Sequence, residues 1–334
     1  MKLPPAGTVL GRVHAQVDTS ANPFLGRQFI AELTNLTPNQ IHCYEVLSGG
    51  QTIVGRTGFR TAPTSGPGSV VRFSTLGDLG KNSAEQRLVL KAMQTVRSDF
   101  VLINGDAAYE VGSALEIETN FFGVYRDMIG KVPFFLATGN HDYKTRDAAP
   151  FREAFALFEN GEEDGVERWY SFDWGPLHVV VLDTQKIGER QATWLDQDLA
   201  KNQLPWVVVT GHKPAYSSGH HGSNSSVRKH FVPVFEKHQV PLVIAGHDHN
   251  YERTKTINGV TYLVTGAGGR GTRPVGSSDF TGFALQVSHF THVTVEADVM
   301  TLRAIDATGG LFDTAVIRKT VSPRAGADAN QNAR

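Results

Sequence analysis

Five short stretches of the chain share one pattern: an apolar run, a glycine, then a side chain able to ligate a hard metal ion. "RFSTL" leads to Gly77 and Asp78, and "FVLI" leads to Asn104, Gly105 and Asp106, with Tyr109 three residues on. "FFLA" leads to Thr138, Gly139, Asn140, His141 and Asp142. "WVVVT" leads to Gly211 and His212, and "PLVIA" to Gly246, His247, Asp248 and His249. Each stretch alone reads most simply as a polar turn after a strand. Together they point to one site, because in open α/β sheets sites form at the carboxyl ends of strands. Glycine lets the backbone turn sharply there. In "GHDH" an extended backbone would aim His247 and His249 to the same side.

The ligand types suit two adjacent metal ions. Asp78, Asp106, Tyr109 and His249 form an oxygen-rich set that favours a highly charged ion such as Fe³⁺. Asn140, His212 and His247, with Asp106 as the bridge, suit a borderline divalent ion such as Zn²⁺, Fe²⁺ or Mn²⁺. Metals in such pairs lie roughly 3.5–4 Å apart and clamp the attacking and leaving oxygens of an in-line displacement.

The elements that must position these residues follow from the rest of the chain. Its 334 residues suffice for one large domain, or a large one and a small one, and 40% hydrophobic with 19% charged residues is an ordinary globular balance. A formal net charge of −1 gives no electrostatic case for nucleic acid or a membrane surface. No apolar run approaches a membrane span. Cys43 is the single cysteine, which rules out intrachain disulfides and thiolate zinc sites. The metal question therefore falls on carboxylates, amides, phenols and 13 histidines.

Residues 1–64 read as short strands, among them "TVLGRVHAQV", "IHCYEVL" and "TIVGRTGFRT". A Pro/Gly/Ser linker, "APTSGPGS", follows at 62–69 and marks a boundary. Beyond it, buried strands alternate with amphipathic helices. The periodicity predicts helices over 83–99, with Ser83 as cap, over "ERQATWLDQDLAKN" and over "SVRKHFVPVFEKHQ". That alternation is α/β. From about 260 the chain returns to strands, and the polar tail 321–334 reads as disordered.

"GDLG", "GDAAY", "GNHD", "VTGH" and "GHDHNYERT" resemble, in order, the five blocks of the purple acid phosphatases within the calcineurin-like metallophosphoesterases. "YSFDWGPLHVVVLDT" resembles the sheet segment between the third and fourth blocks, so the likeness covers about 70–320. The tyrosine of "GDAAY" points to the purple acid branch. The resemblance implies a central β-sandwich flanked by helices, with a catalytic domain over 65–320. It implies the ligand sets given above and hydrolysis of phosphate monoesters by a metal-bound hydroxide. It also implies outer-sphere histidines that bind substrate and protonate the leaving group. His141 matches one; His221 is the better match for the second and His220 the alternative. The expected partner is a small phosphate ester, not nucleic acid or a membrane. The family implies a secreted or periplasmic protein, while the opening "MKLPPAGTVLG" lacks the apolar core of a signal peptide and leaves a cytosolic location open.

His14, His42, His178, His230, His238, His289 and His292 read as structural or surface residues. "GAGGRG" at 266–271 matches a dinucleotide fingerprint, but that fingerprint must open a helix and "TRPVGSSDFTG" has no helical pattern. A loop at the rim of the site is the simpler reading. "LTNLTPNQIHCYEV" through "GFRTAP" resembles the last half of a fibronectin type III domain, although the segment is short for a seven-strand sandwich and His42 stands where that family has its corner tyrosine. Two other functions compete: a phosphodiesterase or phosphotriesterase using the same metals, and a binding scaffold that has lost catalysis.

Overall fold

The structure is a computed structural model that describes residues 13, 16–18, 28–161 and 167–319. The tail 321–334 and most of the first predicted strand lie outside the described residues. Two short hairpins come first. β1 (Gln16–Asp18) pairs with β2 (Gln28–Ile30), and β3 (Ile41–Ser48) with β4 (Gln51–Arg60). The second hairpin touches the main body through the Tyr44 hydroxyl, which donates to the Gly130 carbonyl at 3.0 Å.

After the linker the chain builds two sheets. One contains β5 (Val71–Leu76), β6 (Phe100–Asn104), β7 (Phe134–Ala137), β15 (His289–Glu296), β16 (Val299–Asp306) and β17 (Leu311–Arg318). The other contains β8 (Tyr170–Trp174), β9 (Leu177–Val181), β10 (Trp206–Thr210), β11 (Leu242–Ala245), β12 (Tyr251–Thr254), β13 (Thr261–Thr265) and β14 (Thr281–Leu285). Their orders are β17-β16-β15-β5-β6-β7 and β14-β12-β13-β11-β10-β9-β8.

The period of two along each strand divides its side chains between two cores. Val71 and Phe73 of β5, and Phe100 and Leu102 of β6, face Val179, Val208, Ile244 and Leu263 of the other sheet. The alternate residues Val101 and Ile103 face outward, onto Val89 and Met93 of α1 (Ala84–Met93). On the far side, Val180, Val209 and Val243 pack under Trp194, Leu195 and Leu199 of α2 (Glu189–Lys201). The result is a β-sandwich flanked by helices, the α/β architecture expected. Leu102 is fully buried, so its truncation to alanine would cost about 2–5 kcal/mol.

Three local readings differ. α1 begins at its Ser83 cap but ends at Met93, with turns running on through 96. The single helix expected over 226–239 is two, α3 (Ser225–His230) and α4 (Val232–Lys237). Pro233 sits at the start of α4; it lacks an N–H and its ring clashes with the preceding turn, so one continuous helix is prevented. β12 and β14, antiparallel additions to the second sheet, carry no strong alternating pattern and were not singled out in the sequence.

Candidate metal centre

β5, β6 and β7 are mutually parallel in the first sheet, and β10 and β11 are parallel in the second. Their carboxyl ends point to the same edge of the sandwich. Each loop there delivers its polar residue inward. Asp78 and His212 are fully buried, and Asp106, Tyr109 and His249 nearly so.

The turn geometry is carried by the donors themselves. Asp78 (φ 57°), Asp106 (φ 53°) and His247 (φ 72°) adopt left-handed backbone, which non-glycine residues seldom do and which clusters at functional sites. Gly105 makes its turn as expected, at φ 88°, whereas the other glycines of the motifs act by leaving room. A Cβ on Gly139 would overlap Asp106 Oδ1, and one on Gly246 would stand 2.6 Å from Asp78 Oδ2. The "GHDH" segment is also not extended. Left-handed His247, followed by N–H donation from Asp248 to the Gly246 carbonyl and from Asn250 to the Asp248 carbonyl, turns the two imidazoles toward different neighbours.

Those neighbours define two groups of atoms. Tyr109 Oη lies 2.8 Å from Asp78 Oδ1, 2.7 Å from Asp106 Oδ2 and 3.4 Å from His249 Nε2. His249 Nε2 is 3.4 Å from Asp78 Oδ1. In the second group, His212 Nε2 lies 3.0 Å from Asn140 Oδ1, 3.1 Å from His247 Nδ1 and 3.5 Å from Asp106 Oδ2. Asp106 Oδ2 is common to both. Atoms bound 2.0–2.2 Å from one metal lie about 3 Å from each other in adjacent positions, so both groups have the spacing of a coordination shell.

Proton counting supports the same fit. His212 Nδ1–H donates to the Asn104 carbonyl at 2.8 Å, which turns Nε2 toward the amide oxygen and the carboxylate. One phenolic proton of Tyr109 faces two carboxylates. Acceptors outnumber protons, which is the arrangement a cation resolves. The residues present therefore fit a pair of metal ions.

The charges are strongly perturbed. Burial opposes ionisation of Asp78, but the imidazoles of His212, His249 and His247 overcome it and hold the carboxyl well below its usual range. Burial and the two carboxylates push the Tyr109 phenol far up. Burial, then the His212 imidazole, drives His247 down to about 2, which keeps it neutral.

Three groups around the site escaped the sequence reading. Asp142 is buried and accepts the N–H of Gly139 at 2.8 Å, with those of Ala107 and Ala108 at 3.4 and 3.3 Å. It ties the Asp106 loop to the Asn140 loop, and burial followed by the Asp106 charge raises its carboxyl to about 7. Asp248 accepts the His221 N–H at 2.8 Å and so anchors that loop. Both lie within quoted motifs, but spacing could not tell an anchor from a ligand. Asn104 supplies the carbonyl that fixes His212 and is braced by the Thr75 and Thr210 hydroxyls.

The two outer histidines lie beside the donor groups. The His141 N–H donates to Asp106 Oδ1 at 2.8 Å, and its ring stands 4.2 Å from that of Tyr109. The His221 ring stacks on His247 at 4.1 Å, whereas His220 lies edge-on to the His221 ring at 5.0 Å, its one ring contact among the described residues. Partial burial, aided by the Arg273 guanidinium against Asp248, lowers the His221 pKa. Elsewhere, His178 bonds Asp173 and Asp198, His238 bonds Asp196, and His289 and His292 are buried in β15. His14 lies outside the described residues.

Comparison with known proteins agrees with this arrangement. The calcineurin-like phosphoesterase family matches residues 71–251. An uncharacterized protein of Mycobacterium tuberculosis is 29% identical over 273 residues, 69% of this chain and 51% of its own length. The chain thus spans about half of that relative. Tartrate-resistant acid phosphatase type 5 of Mus musculus is 26% identical over 78% of this chain and 93% of its own. In structure, the purple acid phosphatase PPD1 of yellow lupin superposes with a TM-score of 0.81 at 19% identity, covering 97% of this chain and 72% of that one. A family match across more than half the chain, together with convergent donors at the carboxyl ends of the strands, leads to one conclusion: this chain belongs to the calcineurin-like phosphoesterase family.

Proposed function

We propose that the chain is a dinuclear metal-dependent phosphomonoesterase. The observation that carries this reading is Asp106 Oδ2, a single buried oxygen that faces both donor groups. We assign Fe³⁺ to Asp78, Asp106, Tyr109 and His249, whose oxygens suit a hard ion. Zn²⁺, Fe²⁺ or Mn²⁺ goes to Asp106, Asn140, His212 and His247. Bound there, the cations supply Lewis acidity that activates water and offsets charge on the phosphoryl group.

The chain's own residues do the rest. Asp106 orients the Asn140 loop through its bond to the His141 N–H. His141 Nδ1 faces the Glu110 carbonyl at 2.6 Å and Lys144 Nζ at 2.9 Å, which leaves Nε2 for an ester oxygen. His221 lines the other side through its stack on His247. Together they bind the ester, and in the imidazolium form they deliver a proton to the departing alkoxide.

Hydrolysis of a phosphate monoester, a diester and a triester by zinc-loaded protein, with and without chelator, tests the reading. It expects metal-dependent turnover that is fastest on the monoester. Faster diester or triester hydrolysis would reassign the substrate. Two bound metals without any turnover would make the chain a silent scaffold.

A further inference from the structure

The loop after β13 carries Arg270 and Arg273 and is tied to the donor groups by its backbone. Gly268 N–H donates to the Gly77 carbonyl at 3.0 Å, Arg270 N–H to the Asp78 carbonyl at 2.9 Å, and Arg273 N–H to the His249 carbonyl at 2.8 Å. This is the "GAGGRG" segment, and it forms the rim of the site rather than a dinucleotide-binding turn. Both guanidinium groups are therefore hung from the same frame that holds the metal ligands.

They differ in what answers their charge. Arg270 Nη2 lies 2.9 Å from Glu110 Oε1, and its guanidinium sits 5.3 Å above the Tyr109 ring. Arg273 has no carboxylate partner among the described residues; its Nη1 lies 2.5 Å from His221 Nε2. A guanidinium only donates, so this His221 nitrogen presents a lone pair. A neutral imidazole is a weak partner for a planar fork shaped to grip carboxylate or phosphate. The His221 ring is itself stacked on His247. Arg273 thus stands one imidazole away from the second donor group, half-buried, with its charge unanswered.

Two of the other nearby cations are occupied, and a third, Lys213, lies in the field of the Asp183 and Asp106 carboxylates. Lys144 Nζ lies 3.2 Å from the Glu110 carbonyl and 2.9 Å from His141 Nδ1, and Lys81 pairs with Glu110 at 3.7 Å.

We infer that Arg273 binds the phosphoryl group of the substrate, with His221 as its resting partner, and that it tilts the site toward monoesters over diesters. The inference rests on the hydrolase reading above. A monoester carries about −1.5 to −2 charge at neutral pH and a diester carries one less ionisable oxygen. An uncompensated guanidinium gains more from the first. On substrate entry Arg273 exchanges a neutral acceptor for an anionic one, and His221 Nε2 is released. The exchange involves hydrogen bonds alone.

Arg273→Gln and Arg273→Lys test this in zinc-loaded protein. Two quantities are read: the kcat/KM ratio for a monoester and a diester with the same aryl leaving group, and the calorimetric Kd for inorganic phosphate. Arg273→Gln is expected to lower the ratio about ten- to hundredfold, the worth of a charged hydrogen bond, and to weaken phosphate binding similarly, with the loss in KM rather than kcat. Arg273→Lys, which keeps the charge without the fork, should fall between. Equal losses on both esters with unchanged phosphate affinity would show that Arg273 only props His221, and would overturn the inference. Wild-type-like phosphate affinity in both variants would also overturn it, while leaving the hydrolase reading intact. A wild-type protein that hydrolyses neither ester, yet loses phosphate affinity on Arg273→Gln, would sink the hydrolase reading and keep Arg273 as a phosphate-binding residue.

Discussion

Asp106 Oδ1 accepts the backbone N–H of His141 at 2.8 Å. The carboxylate whose other oxygen faces both donor groups thereby also fixes the loop that carries Asn140 and His141. One side chain ties together the chemistry of two strand ends.

Asp106→Asn is therefore expected to lower the content of both metals and to reduce turnover beyond the roughly 10–100-fold that outer-shell partners cost. Asp78→Asn should chiefly weaken the oxygen-rich group, because Asp78 Oδ1 contacts only Tyr109 and His249 there. Metal analysis by mass spectrometry checks both. Two metals per chain and near-normal turnover in Asp106→Asn would remove the bridge.

Tyr109 Oη lies within 3 Å of two carboxylates, in the group assigned to Fe³⁺. The Fe³⁺-loaded protein should show a visible charge-transfer band, and Tyr109→Phe should abolish it while iron content and fold persist. A colourless wild-type protein holding stoichiometric Fe³⁺ would contradict the assignment.

His141 and His221 touch donor residues but belong to neither group. Replacing either with alanine should leave metal content unchanged. It should slow alkyl phosphates by about 10²–10⁴-fold, as expected for loss of a general acid, and aryl phosphates much less. Equal losses on both would restrict these histidines to binding. A leaving-group effect in His220→Ala instead of His221→Ala would reassign that role, against the stacking seen here.

His289 is fully buried, its Nδ1–H on the Val287 carbonyl and its Nε2 facing Thr265, and burial lowers it to about 4. The unfolded chain binds this proton near pH 6.5. Stability is thus intact above pH 6.5 and is lost as pH falls toward 4, by about 2 kcal/mol at pH 5. Urea unfolding of wild-type and His289→Gln protein at pH 7 and pH 5 checks this. The wild type should lose more on acidification, and equal losses would show that His289 is not held neutral.

The sequence made the donors legible because chemistry and position coincide: Asp78, Asp106, Asn140, His212 and His247 each follow an apolar run and a glycine. Their backbone was not legible. The left-handed turns at Asp78, Asp106 and His247 arise from close packing between loops that only the folded sheets bring together. Asp142 and Arg273 illustrate the same limit. An aspartate that reaches the Ala107 N–H and an arginine that rests on His221 have no spacing signature, since those partners are 35 and 52 residues away in the chain. The break between α3 and α4, by contrast, was visible in Pro233, and the hydrophobic period outweighed it in the sequence reading.

The central claim is that one chain holds two metal ions through a shared Asp106. Calorimetric titration of metal-stripped protein with Zn²⁺, followed by a phosphate monoester assay at each point, tests it most directly. The account predicts two equivalents per chain, with activity appearing as the second site fills and a single weak site or none in Asp106→Asn. Saturation at one equivalent with full activity, or full activity in the stripped protein, would contradict it.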